Sequence, residues 1–282
     1  LRWQYHQDIE RHLLYEEGRG KRTYPNLADG TSASSVRIAR ILCENLHWKP
    51  RKRSTPPQQI GKLFEKATRQ FLQSALDALE PIRPGPWIYP EKDADKEIDR
   101  FVQYRHLHEL YRVMQEHPEL RSALGQDYLI TPDIVVARQP LRDEQINARG
   151  SVILPDDRIV QHTPLRERNR PERIPILHAS ISCKWTIRSD RAQSVRAEAL
   201  NLLKNRKGHL PHIVVVTAEP LPTRIASLAY GTGELDCVYH IALHELVQAV
   251  GQVSDDQSQV LLELIHGDRL RDISDLPFDL AT

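Results

Sequence analysis

A chain of 282 residues, 40% hydrophobic and 27% charged, without a run of about 18 apolar residues, argues against fibrous, disordered and membrane-spanning classes, and from the polar opening segment Leu1 to Glu10 no signal peptide is expected. Lysine and arginine total 39 against 38 aspartate and glutamate, so the net charge of +1 gives no global attraction to an anionic partner, and any nucleic-acid surface must be local. Cys43, Cys183 and Cys237 are far apart and lack CxxC spacing, which argues against a disulfide framework or a zinc site and for a reducing cytoplasm.

The first strong pattern places apolar residues at Leu63, Phe64, Ala67, Phe71, Ala75 and Leu79, and predicts a long core helix over Gln58 to Leu79 that Pro81 ends. Tyr128 to Ala137 (YLITPDIVVA) is rich in β-branched residues and predicts a strand. Gln139 to Arg173 is charged, proline-bearing and aperiodic, and reads as an irregular surface excursion. A second strand is expected over Ile176 to Trp185 (ILHASISCKW), a helix over Asp190 to Lys207 closed by Gly208 and Pro211, and a third strand over Pro211 to Ala218 (PHIVVVTA). Strand, strand, helix, strand, with further helices on either side, predicts an α/β fold with a central sheet flanked by helices. No repeat or low-complexity tract is visible and the 19 prolines are spread out, so residues 1–282 read as one domain with the 139–173 excursion.

Asp133 opens the first of these strands, and Ser182, Cys183 and Lys184 sit near the end of the second. Cleaving a phosphodiester needs a carboxylate to hold a divalent metal and a cation near the nucleophile and the growing phosphorane charge. Asp133 and Lys184 supply those parts. Such sites usually carry an acid two residues before the lysine, on the same strand face, and here that position is Ser182. Glu198 is the first candidate for the missing acid, because it shares a helical stripe with Val195 and Leu202; a salt bridge at the edge of the core is the alternative use of such a residue. Glu65, beside Phe64 on the long helix, is a second candidate. Asp156 after Pro155 rivals Asp133, but it is followed by Asp157 and Arg158 in the excursion, whereas Asp133 leads into Ile134, Val135 and Val136.

Directly after the lysine strand come Arg188, Ser189, Asp190 and Arg191, at the start of the helix that carries Glu198. Arginine can donate twice to guanine O6 and N7, and aspartate can accept from cytosine N4, so the cluster has the chemistry to read G·C pairs in a major groove. A helix cap with a neighbouring arginine as partner is the alternative. Ser182 and Lys184 as a Ser–Lys hydrolase dyad would lack an elbow and oxyanion donors on a mid-sheet strand. His106 and His108, two apart on a helix, do not share a face, and Lys49, Arg51, Lys52 and Arg53 read as solvated surface or a phosphate-tracking loop. The residues alone therefore leave a metal-dependent nuclease beside an inactive DNA-binding protein on the same fold.

The runs HASISCKWTIRSDRAQ (178–193), NRKG (205–208), LPHIVVVTAEP (210–220) and DISDLP (272–277) resemble the NgoMIV-like type II restriction endonucleases, the CCGG-reading group of the PD-(D/E)xK superfamily. The similarity runs from about Asn26 to the C-terminus and is weakest across 139–172. The resemblance implies the restriction-endonuclease-like fold, a mixed β-sheet flanked by helices. It implies that Asp133, Lys184 and Glu198 form the catalytic set, with Ser182 at the vacated acid position and Glu65 an additional acid. It implies two Mg²⁺ ions per site, held by Asp133, the backbone carbonyl of Cys183 and Glu198. It implies that Arg188, Asp190 and Arg191 read the central CCGG, that Asp29 and Arg224 read the outer G·C pair from the major groove, and that Gln58 reads it from the minor groove. The implied target is double-stranded DNA at GCCGGC, cut after the first G. The implied assembly is a homotetramer of two dimers, with a companion DNA methyltransferase that is not bound.

Overall fold

The computed structural model describes residues 1–19, 22–52, 56–124, 130–154, 158–169, 172–231 and 233–282. The chain opens with α1 (Arg2–His12), an antiparallel pair of β1 (Glu16–Arg19) and β2 (Arg22–Pro25), and α2 (Ala33–Asn45), where the Ser32 hydroxyl accepts from the Ser35 N–H at 3.2 Å and so satisfies one orphan donor of the first turn. α3 (Pro57–Ala78) starts on a proline, whose missing N–H would have had no helical partner there. Next come β3 (Trp87–Ile88), α4 (Asp93–Lys96), α5 (Arg105–Glu116), α6 (Pro118–Leu124), β4 (Ile134–Arg138) and α7 (Asp143–Ile146). The second half holds β5 (Ile176–Lys184), α8 (Ser189–Asn205), β6 (His212–Thr217), α9 (Pro222–Ala229) and β7 (Cys237–His240), and ends with α10 (Leu243–Gly251), α11 (Asp255–His266), β8 (Leu270–Asp272) and α12 (Leu276–Ala281).

Among the described residues the main sheet has six strands in the order β3-β4-β5-β6-β7-β8. It is mixed: β3 runs antiparallel to β4, with Trp87 opposite Arg138, while β6, β7 and β8 are parallel, with Val216 opposite Tyr239 and His240 opposite Asp272. Parallel neighbours need crossovers, which α9 and the pair α10 and α11 provide. β4 and β6 are buried on both faces for almost their whole length, which explains their near-continuous apolar sequences. The expected α/β sheet flanked by helices is therefore present. Among the described residues no helix is long and apolar enough to cross a membrane.

The chain forms two compact units, one of Leu1–Ile82, Ile181–Ala199 and Ile213–Thr282, the other of Arg83–Ser180 and Leu200–His212. The first unit is organised by α3. Its Phe64, Thr68 and Leu72 are wholly buried; the Tyr5 hydroxyl meets Thr68 Oγ1 at 2.8 Å and the Tyr5 ring lies 5.0 Å from that of Phe71. The helical spacing read from sequence marks this face correctly, although Leu63 and Leu79 turn out only half-buried. At the other end of the unit Arg2 spans Glu245 and the buried Asp272, and holds the Asp272 carboxyl down at about 2 against the opposing effect of burial.

In the second unit the predicted strand over 128–137 starts later, at Ile134, while Tyr128 and Leu129 lie outside the described residues. The 139–173 stretch is irregular, as expected, but it is not purely surface. Arg166 is buried and its guanidinium donates twice to Asp143, at 2.7 Å each, while Leu141 and Glu167 pair through their backbones. Ile153 is also buried, and Asn147 ties the backbone of Val152 and Ile153. A bidentate pair around a buried cation gives the segment its own small core, which charge-rich sequence does not reveal. Asp143→Ala leaves that guanidinium without its counter-charge and should loosen the segment. Amide hydrogen exchange at Leu141 and Glu167 should then quicken, and unchanged protection would contradict the assignment.

Candidate active site

β5 carries the chemistry because of how its end is buried. Cys183 is buried and Ser182 and Lys184 are half-exposed, and the alternation continues beyond the strand: Trp185 buried, Thr186 half-exposed, Ile187 buried, Arg188 exposed. Within the strand side chains alternate with period two, so Ser182 and Lys184 share its open side; past the strand end the chain bends at Trp185 and Thr186 before Arg188. Three contacts fix the other side. The Trp185 ring packs edge-on against Phe64 of α3 at 5.3 Å and its Nε1 donates to the Asn26 carbonyl at 3.1 Å; the Ile187 N–H donates to Glu219 Oε2 at 2.9 Å. The Lys184 carbonyl accepts from Thr217 Oγ1 at 2.7 Å, which ties the lysine's backbone to β6.

The polypeptide turns into α8 at once. Arg188 and Asp190 are exposed and, among the described residues, their side chains make no hydrogen bonds; Arg191 donates to the carbonyl and hydroxyl of Thr186 at 3.1 and 3.2 Å. Asp190 is the second residue of the helix, not its cap, so the capping alternative does not describe it. Along α8, Val195, Ala199 and Leu202 are buried and Glu198 stands half-buried on the same stripe, accepting from Ser194 Oγ at 3.2 Å.

An open cleft of about 820 Å³ lies beside this turn, and Asp29, Arg188, Arg196 and Arg224 line it. Arg224 and Asp29 are joined as an ion pair, and Asp29 also accepts from the Thr31 N–H at 3.0 Å and the Thr31 hydroxyl at 2.8 Å. Those Thr31 bonds first, and Arg224 after them, hold the Asp29 carboxyl below its usual range. The structure thus gathers Arg188, Asp29 and Arg224 around one cleft. Glu65 is half-buried on α3, next to the Phe64 that braces Trp185. Asp133 belongs to the other unit, immediately before β4, where its carbonyl accepts from the buried Lys96 at 2.9 Å. Gln58 falls within α3 with its side chain outside the described residues, and the rival Asp156 lies outside them altogether. Ser182 sits within β5 and not at a strand-to-helix elbow, which leaves the hydrolase dyad unsupported. His108 pairs with Asp99 at 3.0 Å.

Sequence reasoning missed Glu219. It is wholly buried just after β6, and burial pushes its carboxyl up to about 7 despite hydrogen bonds from the Ile187 and Leu221 N–H groups and the nearby Arg224 cation. The available signal was an acid directly following the apolar run IVVVTA, where a charge is expensive unless it has partners.

A mixed six-stranded sheet flanked by helices, with a half-exposed lysine at a strand end running into an arginine-bearing turn, is consistent with the restriction-endonuclease class of hydrolases. A family model described as NgoMIV restriction enzyme matches residues 5–282. The type II restriction enzyme NgoMIV of Neisseria gonorrhoeae is 49% identical over 257 residues, covering 90% of this chain and 88% of that protein. The chain belongs to the NgoMIV restriction enzyme family and is a site-specific endonuclease.

The raised Glu219 carboxyl has a measurable consequence. An acid whose folded value exceeds its ordinary 4.5 binds more protons folded than unfolded, so its contribution to stability is fully present below about pH 4.5 and is lost as pH rises through about 7. The stability of the wild type relative to Glu219→Gln should fall by on the order of 3 kcal/mol across that window. Urea denaturation at about pH 5 and about pH 8 measures this; an equal difference at both pH values would contradict it.

Proposed function

We propose that this endonuclease cuts both strands of double-stranded DNA at the palindrome GCCGGC in a Mg²⁺-dependent hydrolysis, after the first G, leaving four-base 5′ overhangs. The observation that carries the reading is the half-exposed Lys184 at the end of β5, followed four residues on by the exposed Arg188, which lines a cleft with Asp29 and Arg224. The catalytic set is Asp133, Lys184 and Glu198, with Glu65 as a supporting acid and Ser182 in the place where an acid is usual. Asp133 immediately precedes β4 and so stands at the opening of a strand of its unit. The family match runs through both units, in keeping with one endonuclease domain over 1–282.

The donor set suits a hard cation. Asp133 and Glu198 offer carboxylate oxygens and Cys183, its thiol buried, offers its backbone carbonyl. Two Mg²⁺ ions, when bound, would neutralise the phosphate and lower the pKa of the attacking water. Lys184 places an ammonium at the reacting phosphate, where charge grows as the bond to water forms. Its backbone bond to Thr217 and the bracing of Trp185 fix the backbone from which that ammonium extends.

Recognition follows from donor and acceptor patterns. Arg188 and Arg191 donate to guanine O6 and N7 and Asp190 accepts from cytosine N4, which specifies the central CCGG in a two-fold dimer. Asp29 and Arg224 stand side by side as acceptor and donor, matching the edge of one G·C pair, and they read the outer pair, with Gln58 on its minor-groove side. The assembly is a homotetramer of two dimers acting in the cytoplasm, alongside a methyltransferase that protects the host sites and is not part of the complex.

Lys184→Ala and Asp133→Ala should each abolish cleavage with folding intact, and Glu198→Gln should lower it by orders of magnitude. Single-turnover cleavage of a duplex in Mg²⁺ measures all three, and near wild-type rates in any of them would remove that residue from the set. On plasmids, sequenced ends should read GCCGGC, with two-site DNA cut faster than single-site DNA; an A·T pair within the six positions would overturn the specificity.

A further inference from the structure

We propose that Glu219 is a positioning residue for base recognition: its buried carboxylate locks the backbone at Ile187 and the guanidinium of Arg224 into one rigid unit that presents Arg188 and Arg224 to DNA together. The inference rests on the reading of Arg188 and Arg224 as base-contacting residues. Glu219 Oε2 accepts from the Ile187 N–H at 2.9 Å, fixing the residue directly before Arg188. Oε1 accepts from the Leu221 N–H at 3.2 Å, fixing the residue that enters α9, the helix carrying Arg224. Arg224 Nη1 lies 3.9 Å from Oε2 and donates to the Ile187 carbonyl at 3.4 Å. The Glu219 N–H donates to Thr217 Oγ1 at 3.1 Å, and that hydroxyl in turn donates to the Lys184 carbonyl. One carboxylate therefore ties the two recognition segments together, and the Glu219 backbone, through Thr217, links them to the strand end that bears Lys184.

A wholly buried carboxylate is costly, and a neutral side chain of the same length could fill the space. The charge has a specific use here. It faces the guanidinium of Arg224 from behind while Asp29 faces it from the cleft, so the fork is held by two carboxylates and keeps donors for a guanine. Neutralising Glu219 loosens the fork and, through Ile187, the Arg188 turn. Gln retains the length but offers a single acceptor oxygen and puts an amide N–H₂ against one of two N–H donors.

The charged and titratable groups against Glu219 are Arg224 from α9, Asp29 from the segment before α2, and His240 from β7, whose ring lies against the Glu219 backbone carbonyl. Burial pushes His240 down to about 4, and Asp29 is held below its usual range, so Glu219 is the group of this cluster that changes charge near neutrality.

The test measures cleavage rates of the full-length enzyme in Mg²⁺ on a GCCGGC duplex and on a duplex with only the outer pair changed, ACCGGT. In Glu219→Gln the ratio of the two rates should shrink by about tenfold or more, the low end of what one lost base contact costs. In the wild type the same ratio should fall as pH is lowered from about 8 to about 6, and in the variant it should stay flat. A purely structural role would lower both rates together and leave the ratio unchanged, which would overturn the proposal. So would a wild-type ratio independent of pH, a measurement that needs no variant to fold. Arg224→Ala separates the layers: if it keeps outer-pair discrimination, the underlying reading of Arg224 fails and the proposal with it. If Arg224→Ala loses discrimination and Glu219→Gln keeps it, the role of Glu219 alone is refuted.

Discussion

The burial of every second residue from Cys183 to Ile187 is the constraint on which the site depends. A strand whose alternate side chains are clamped cannot slip by one residue without sending its whole buried set into solvent. Trp185 is held on both its ring and its nitrogen, and Ile187 at its backbone, so the register is fixed at two successive buried positions. Lys184 then has no choice of side, and Arg188, proposed to read a base, follows four residues later at the start of the turn into α8.

Around that strand the electrostatics favour preorganisation over stability. Glu219 is buried at a cost, and Arg224 is held between it and Asp29 before any DNA is present. Groups fixed in their bound arrangement lose less freedom on binding, so more of the contact energy appears as discrimination. The stabilising ion pairs lie elsewhere in the chain, at Arg2 with Asp272 and at Arg166 with Asp143.

Much of this was legible in the sequence, and the parts that were not share a physical reason. α3, α8 and β4 to β6 announce themselves because their apolar periods or β-branched runs are long. β7 and β8 do not: CVYH and LRD are four and three residues long, and they are strands because β6 offers an edge to β7 and β7 in turn offers one to β8. The adjacency of Lys184 and Arg188 could be read directly, since it is local. The roles proposed for Asp29 and Arg224 came through family resemblance, because nothing in their own neighbourhoods signals that residues 195 positions apart form an ion pair. Glu219 and Arg166 were overlooked because a buried charge reads in sequence like any surface charge. Only the fold shows what surrounds it.

The most direct test of the account is a crystal structure of the protein with a GCCGGC duplex and Ca²⁺ in place of Mg²⁺. The account predicts the Lys184 ammonium within roughly 3 Å of the scissile phosphate, while Arg188 and Arg191 of the same chain contact guanines in the major groove. A duplex lying across another surface, with Lys184 turned away from its backbone, would contradict it.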